Sequence, residues 1–147
     1  MLALADAHGL RDVPKVATAF YQAAPGATIS QQVLHLGAVK AQAQLALLRQ
    51  ARAGCPFMAA TVGGSVLGLQ RVPLKLSRTA AQDAVAVGYE QSVSRNYKIS
   101  YEIVMARVAD DLLVVGNPGI VRKRVPSVTL GTAARAVIKL VAAQKTS

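Results

Sequence analysis

The stretch Thr28–Ala53, TISQQVLHLGAVKAQAQLALLRQARA, decides how the rest of the chain is understood. Within it Leu34, Ala38, Ala41, Leu45 and Leu48 recur at alternating spacings of four and three, flanked by Val33, Val39 and Leu47. That period puts the five residues on one face of an amphipathic helix. Thr28 with Gln31 forms a capping-box pattern, so the spacing predicts one long helix from about Ile29 to Ala53. The small residues in the middle of the seam imply close approach by a neighbouring element. The seam is core, or, in the sharper reading, a subunit interface made by Leu34, Ala38, Ala41, Leu45 and Leu48 against another chain.

Upstream, Leu2 to His8 suggests a short helix closed by Gly9. Val13-Pro14 opens a second one that runs through Gln22 and stops at Pro25-Gly26, proline being tolerated at a first helical position. Downstream, Ala53 to Gln70 holds eighteen uncharged residues between Arg52 and Arg71, the lower edge of a membrane-spanning length. Its Gly64-Ser65-Val66-Leu67-Gly68 spacing would let helices pack closely in lipid. Pro56, Gly63-Gly64 and the many small residues favour a buried loop plus strand instead.

Val72, Leu74 and Leu76 alternate with Pro73, Lys75 and Ser77, predicting a strand that Pro73 places at a sheet edge. Thr79 and Gln82 repeat the capping box and predict a helix over about Ala80 to Val93. From Lys98 the period becomes two, with Ile99, Tyr101, Ile103 and Met105 on one face and Lys98, Ser100 and Glu102 on the other. Asp110-Asp111 and Asn117-Pro118-Gly119 read as turns around a short buried strand, Leu112 to Val115. Val121 to Val128 reads as a third strand, and Thr132 as the cap of a last helix, Ala133 to Gln144. The expected fold is α+β in a single domain, residues 1–147. It has N-terminal helices including one long amphipathic helix, then a small antiparallel sheet with flanking helices.

Composition sets the partners. The 147 residues are 52% hydrophobic and only 16% charged, yet the formal net charge is +10. No acidic residue lies between Asp12 and Asp83, and none follows Asp111. A chain with so much apolar surface and unbalanced charge implies other protein subunits, in a homo- or hetero-oligomer, and a polyanion. Anionic lipid headgroups would satisfy the same charges.

The basic candidates for nucleic-acid contact are Arg122, Lys123 and Arg124, then Arg135 and Lys139 on one face of the last helix, and Arg71, Lys75 and Arg78. Tyr97, beside Arg95 and Lys98, is the one aromatic suited to stacking on a base, since Tyr101 falls on the apolar face. With so few aromatics the expected contact is with the backbone rather than with base sequence, on RNA or a packaged genome.

Catalytic readings find little support. Gly64-Ser65-Val66-Leu67-Gly68 misses the nucleophile-elbow spacing by one residue, and His8 and His35 both precede it. There is no G-x-x-x-x-G-K phosphate loop, and the lone Cys55 rules out an intrachain disulfide or multi-thiolate zinc site. Cys55 reads as a packed apolar side chain and His35 as a partly buried, hydrogen-bonded imidazole. No catalytic residue, cofactor or metal is assigned. Val87-Gly88-Tyr89-Glu90 with Arg95-Asn96-Tyr97-Lys98 resembles the second helix-turn-helix of AraC-type activators over about a dozen residues. The recognition helix is two residues short and runs into a strand pattern, so the resemblance is not taken as membership.

The reading that follows is a non-enzymatic structural subunit of a large assembly, a ribonucleoprotein particle or virion shell. Its basic segments would lie on nucleic-acid backbone, inside a cell or within a particle and not secreted. The alternatives are a small subunit of a membrane complex, touching the bilayer through Ala53 to Gln70, and an enzyme with no recognisable motif.

Overall fold

Seven antiparallel strands form one sheet in the order β1-β2-β7-β6-β5-β4-β3. The structure, a computed structural model, describes residues 15–24, 27–76 and 81–146. The elements are β1 (Lys15–Ala24), β2 (Ala27–His35), α1 (Ala38–Gly54), β3 (Phe57–Val62), β4 (Ser65–Val72), β5 (Asp83–Ser92), β6 (Tyr97–Val108), β7 (Asp111–Arg122) and α2 (Val128–Lys145). The expectation of N-terminal helices followed by a small sheet is therefore overturned. Of the predicted Val13–Gln22 helix, Lys15 to Gln22 lies in strand β1, Val13 and Pro14 being outside the described residues, and the predicted Ile29–Ala53 helix is strand β2 followed by α1. In place of the predicted Ala80–Val93 helix, Asp83–Ser92 is strand β5, Ala80 being outside the described residues. The expected Leu2–His8 helix lies outside the described residues.

The physical reason for the misread inner strands is that the middle of the sheet is covered on both faces. Val85, Val87, Tyr89 and Met105 pack with Ala41, Leu45 and Leu48 of α1. Ala86, Val104, Ala106, Leu113 and Val115 pack with Ala133, Ala136 and Val137 of α2. A strand buried on both sides reads as a nearly continuous apolar run and loses its alternation of apolar and polar residues. Asp83-Ala-Val-Ala-Val-Gly88 is such a run, and five consecutive residues from Val85 to Tyr89 are buried. In β2 the adjacent Val33 and Leu34 are buried in opposite clusters.

Helix α1 starts only after Gly37, whose φ of 79° is left-handed and ends the strand. Its first turn is capped from a distant loop. The Asp110 carboxylate accepts from Ala38 N at 3.1 Å, and the Asp110 carbonyl accepts from Leu36 N and Gly37 N. An acidic group there favours the helix through the exposed N–H groups and the dipole. The helix then carries the chain across the sheet to β3 at the far edge.

The remaining expectations differ mainly at segment ends. The alternation at Lys98–Met105 is strand β6, and its four apolar residues face the α1 side. Asn117-Pro118-Gly119 is no turn but lies inside the twelve-residue β7, opposite Glu102, Tyr101 and Ser100. The β2–β7 register passes from Ala27–Gly119 to Ser30–Gly116, and the ladder is interrupted opposite Asn117-Pro118, where proline has no N–H to give. Of the predicted Val72–Leu76 strand only Val72 belongs to β4. Leu74 and Leu76 pack on the α2-side core, and a Cβ on Gly88 would meet Val72 Cγ2 at 3.2 Å. The predicted Val121–Val128 strand ends at Arg122. Ser127 Oγ, not Thr132, caps α2 by accepting from Leu130 N at 3.1 Å. Thr132 is buried within that helix.

The β6–β7 connection is the two-residue turn Ala109-Asp110, with Ala109 at φ 53°. An L side chain in that region costs about 1 kcal/mol that glycine avoids. Ala109→Gly is expected to raise unfolding free energy by about 0.5–1 kcal/mol in urea titration. An unchanged or lowered midpoint would contradict this.

Candidate nucleic-acid interface

The β5–β6 hairpin loop is held by its own polar groups. Val93 N and Ser94 N donate to Tyr97 O, and Ser94 Oγ accepts from Tyr97 N at 3.2 Å. The turn after β7 docks on this loop through Lys123 N, which donates to Asn96 O at 2.9 Å. Tyr97 and Arg122 are opposite one another across the β6–β7 ladder. The two connections thus enclose a polar cleft of about 510 Å³ lined by Arg95, Asn96, Tyr97, Arg122, Lys123 and Arg124. Tyr97 is 41% exposed, which leaves part of its ring open to a ligand. Arg124 sits at φ 62°, a left-handed conformation disfavoured for an arginine.

The electrostatics are one-sided. All five carboxylates among the described residues have partners away from the cleft. Asp83 binds Arg49, Glu90 binds Lys98, and Asp111 Oδ1 lies 2.8 Å from His35 Nδ1. Glu102 accepts from Ser127 Oγ at 2.7 Å, and Asp110 caps α1. Among the described residues no ion pair involves Arg95, Arg122, Lys123 or Arg124. Four cations line one cleft with no carboxylate in its wall.

The Arg49–Asp83 pair has two-point geometry, one bond being Arg49 Nη1 to Asp83 Oδ2 at 3.0 Å. That hydrogen bond holds the Asp83 carboxyl below its ordinary value against the opposing effect of burial. A carboxyl depressed in the folded state stabilises above its unfolded value, about 3.9, and the gain is lost as pH falls through the folded value. Both side chains are about a third exposed, at 39% and 31%, so solvent screening keeps the pair under about 1 kcal/mol. Asp83→Asn is expected to lower stability modestly at neutral pH and to converge on the parent as pH falls through the lowered folded value of the Asp83 carboxyl. A gap that persists in acid would assign the loss to packing.

The other sequence candidates lie elsewhere. Arg71 is tied by Nη1 to the Arg52 carbonyl at the end of α1. Lys75 is exposed on the irregular segment after β4. Arg135 and Lys139 are exposed on α2, outside the cleft wall, and Arg78 is outside the described residues. Of the expected interface seam, Leu34, Ala41, Leu45 and Leu48 are buried in this chain's own core, and Ala38 is half-buried. Cys55, expected to be packed, is exposed, and the His35 side chain is 62% exposed though hydrogen-bonded. Arg95 and Asn96 were missed as cleft residues, because they join Arg122–Arg124 only once β5 is a strand hairpinned to β6.

A second concavity, of about 250 Å³, lies between α1 and the sheet, with Leu48, Ala51, Met58, Val87 and Ile103 in its wall. Tyr89, also in that wall, donates from its hydroxyl to Cys55 O at 2.7 Å. Burial pushes its phenol above the ordinary value, Cys55 adding to the effect and Arg71 opposing it. Among the described residues no three metal-ligating side chains gather, and no helix is long and apolar enough to cross a membrane. Residues 57–70 of the stretch weighed as a membrane contact lie in the β3–β4 hairpin. No family model matches the chain, and no curated protein matches it either.

Proposed function

We propose that this chain is a non-enzymatic building block of a nucleic-acid-containing assembly, a ribonucleoprotein particle or virion shell. It grips a single-stranded backbone in the cleft between the β5–β6 loop and the β7–α2 turn. One observation carries the reading: the described carboxylates are all engaged elsewhere while Arg95, Arg122, Lys123 and Arg124 share one cleft unopposed. A phosphate backbone supplies the missing counter-charge and releases counterions as it does so. Tyr97 in the same wall offers a face on which an unpaired base can stack whatever its identity. The left-handed Arg124 supports the reading too, since a strained backbone at a charged turn fits a binding role better than a structural one.

The test is fluorescence anisotropy with labelled single-stranded RNA of mixed sequence, titrated at several salt concentrations. Binding with a slope of about −2.8 in log affinity against log salt is expected for four neutralised phosphates. Tyr97→Ala should weaken single-strand binding about 5-fold, the low end of one base–aromatic stack, and leave duplex binding unchanged. Retention insensitive to salt would remove the basis of the proposal.

A further inference from the structure

The β3–β4 hairpin is an overhanging ribbon. β4 pairs with β5 only at Gln70, Arg71 and Val72, whereas β3 and β4 pair along their whole length from Phe57–Gln70 to Val62–Ser65. Strand β3 ends the sheet, and among the described residues its outer edge has no strand or side-chain partner. Such an edge offers unmet N–H and C=O groups, and proteins that keep it free place lysine, proline or a bulge there. Pro56 stands just before the strand and accepts from Arg71 N, but Phe57–Val62 itself carries none of them: its sequence is Phe-Met-Ala-Ala-Thr-Val, and no charge occurs from Ala53 to Gln70. Met58, Ala60, Leu67 and Leu69 point into the α1-side core, while Phe57 and Val66 are 63% and 72% exposed. A two-stranded ribbon with exposed apolar residues is marginal on its own in water.

We propose that β3 pairs antiparallel with β3 of a second copy of this chain, joining two seven-stranded sheets into one across a two-fold axis. An acidic partner would be drawn to the basic surfaces, so an uncharged edge suits a partner of the same sign. Two chains of net charge +10 repel each other over most of their surface, and the uncharged stretch Phe57–Gln70 is where they can meet without placing like charges together. Antiparallel pairing of an edge with itself is isologous, so each copy gives and receives the same backbone hydrogen bonds. Six residues span about 20 Å, and a strand contact alone falls short of the roughly 1,000 Å² of a stable interface. Phe57 and Met58 also line the 250 Å³ apolar cavity, so the contact continues onto an apolar depression beside the strand. This inference gives the assembly reading its first contact between copies and does not depend on the basic cleft.

The full chain, treated with nuclease, is to be weighed by light scattering after gel filtration in about 1 M sodium chloride, where charges are screened beyond about 3 Å. Twice the 15.3 kDa chain mass is expected, with amide exchange at Ala59–Thr61 slowing as protein concentration rises. The double variant Ala59→Lys/Thr61→Lys puts like charges on exposed positions of the edge and should run as a monomer with unchanged circular dichroism. A parent that stays monomeric at high concentration, or a variant of unchanged dimeric mass, would overturn the proposal. If the variant does not fold, exchange at Ala59–Thr61 in the parent decides: protection independent of concentration counts against the paired edge. Loss of RNA binding with the dimer intact would remove the cleft reading alone.

Discussion

Replacing Arg122, Lys123 and Arg124 together with glutamine is expected to weaken single-stranded RNA binding about 50-fold at about 0.15 M salt. Each neutralised phosphate contributes about 0.7 to the salt slope on a single strand, so losing three of four takes the slope from about −2.8 to about −0.7. Extrapolated to the 1 M reference, where counterion release contributes nothing, that difference is about 1.7 log units at 0.15 M. The fold should survive the change. None of the three side chains makes a hydrogen bond or ion pair to a described residue, and the Lys123 contact to Asn96 uses backbone N–H. Affinity and slope must therefore fall together while the unfolding midpoint stays put. An unchanged slope would show that this turn does not touch the polymer, and a lowered midpoint with unchanged slope would make the cluster structural.

Arg135→Gln with Lys139→Gln makes the contrasting control. These two were grouped with the same cations by sequence, but they project from α2 outside the cleft. Their removal tests whether charge anywhere on the chain suffices or only charge in the cleft wall counts. A slope unchanged by this pair and reduced by the turn variant places the contact in the cleft.

What was legible in the chain depended on how each segment is buried. Strand β6 showed a clean period of two because its polar face carries Lys98, Ser100 and Glu102 before running under α2. Strands β2 and β5 hid theirs, since helices cover both faces and apolar residues stand next to each other. The seam from Leu34 to Leu48 mixed two elements. Leu34 reaches the α1-side core from β2, Ala41, Leu45 and Leu48 from the helix, and a shared cluster imitates a shared helical face. Gly37 was the signal that could have divided them.

The site was half legible for a related reason. Arg122–Arg124 and Tyr97 were each visible as residue types, but their meeting depends on the pairing of Tyr97 with Arg122 across β6 and β7. Reading Asn117-Pro118-Gly119 as a turn cut β7 short and separated the two halves. Proline inside a strand is normally evidence against the strand. Here the ladder to β2 has a gap at that point, and the pairing to β6 continues through it.

Leu45→Ala is the other large expected effect, and it decides what the α1 seam is for. Leu45 is fully buried, with Ala41, Leu48, Val85, Val87 and Met105 in the same cluster. Truncating such a leucine removes its transfer free energy and leaves a cavity, together about 3 kcal/mol. For a chain of this size that lowers the melting temperature by on the order of 10 °C. Because the neighbours belong to the same chain, the loss should not change with protein concentration. A leucine serving a contact between chains would give a loss that shrinks on dilution, as the parent itself comes apart. Val39→Ala, two residues before Ala41 but 81% exposed, should stay within about 0.5 kcal/mol of the parent. A small effect at Leu45 with a large one at Val39 would reverse the assignment of the helix faces and return the seam to the role of an intersubunit surface.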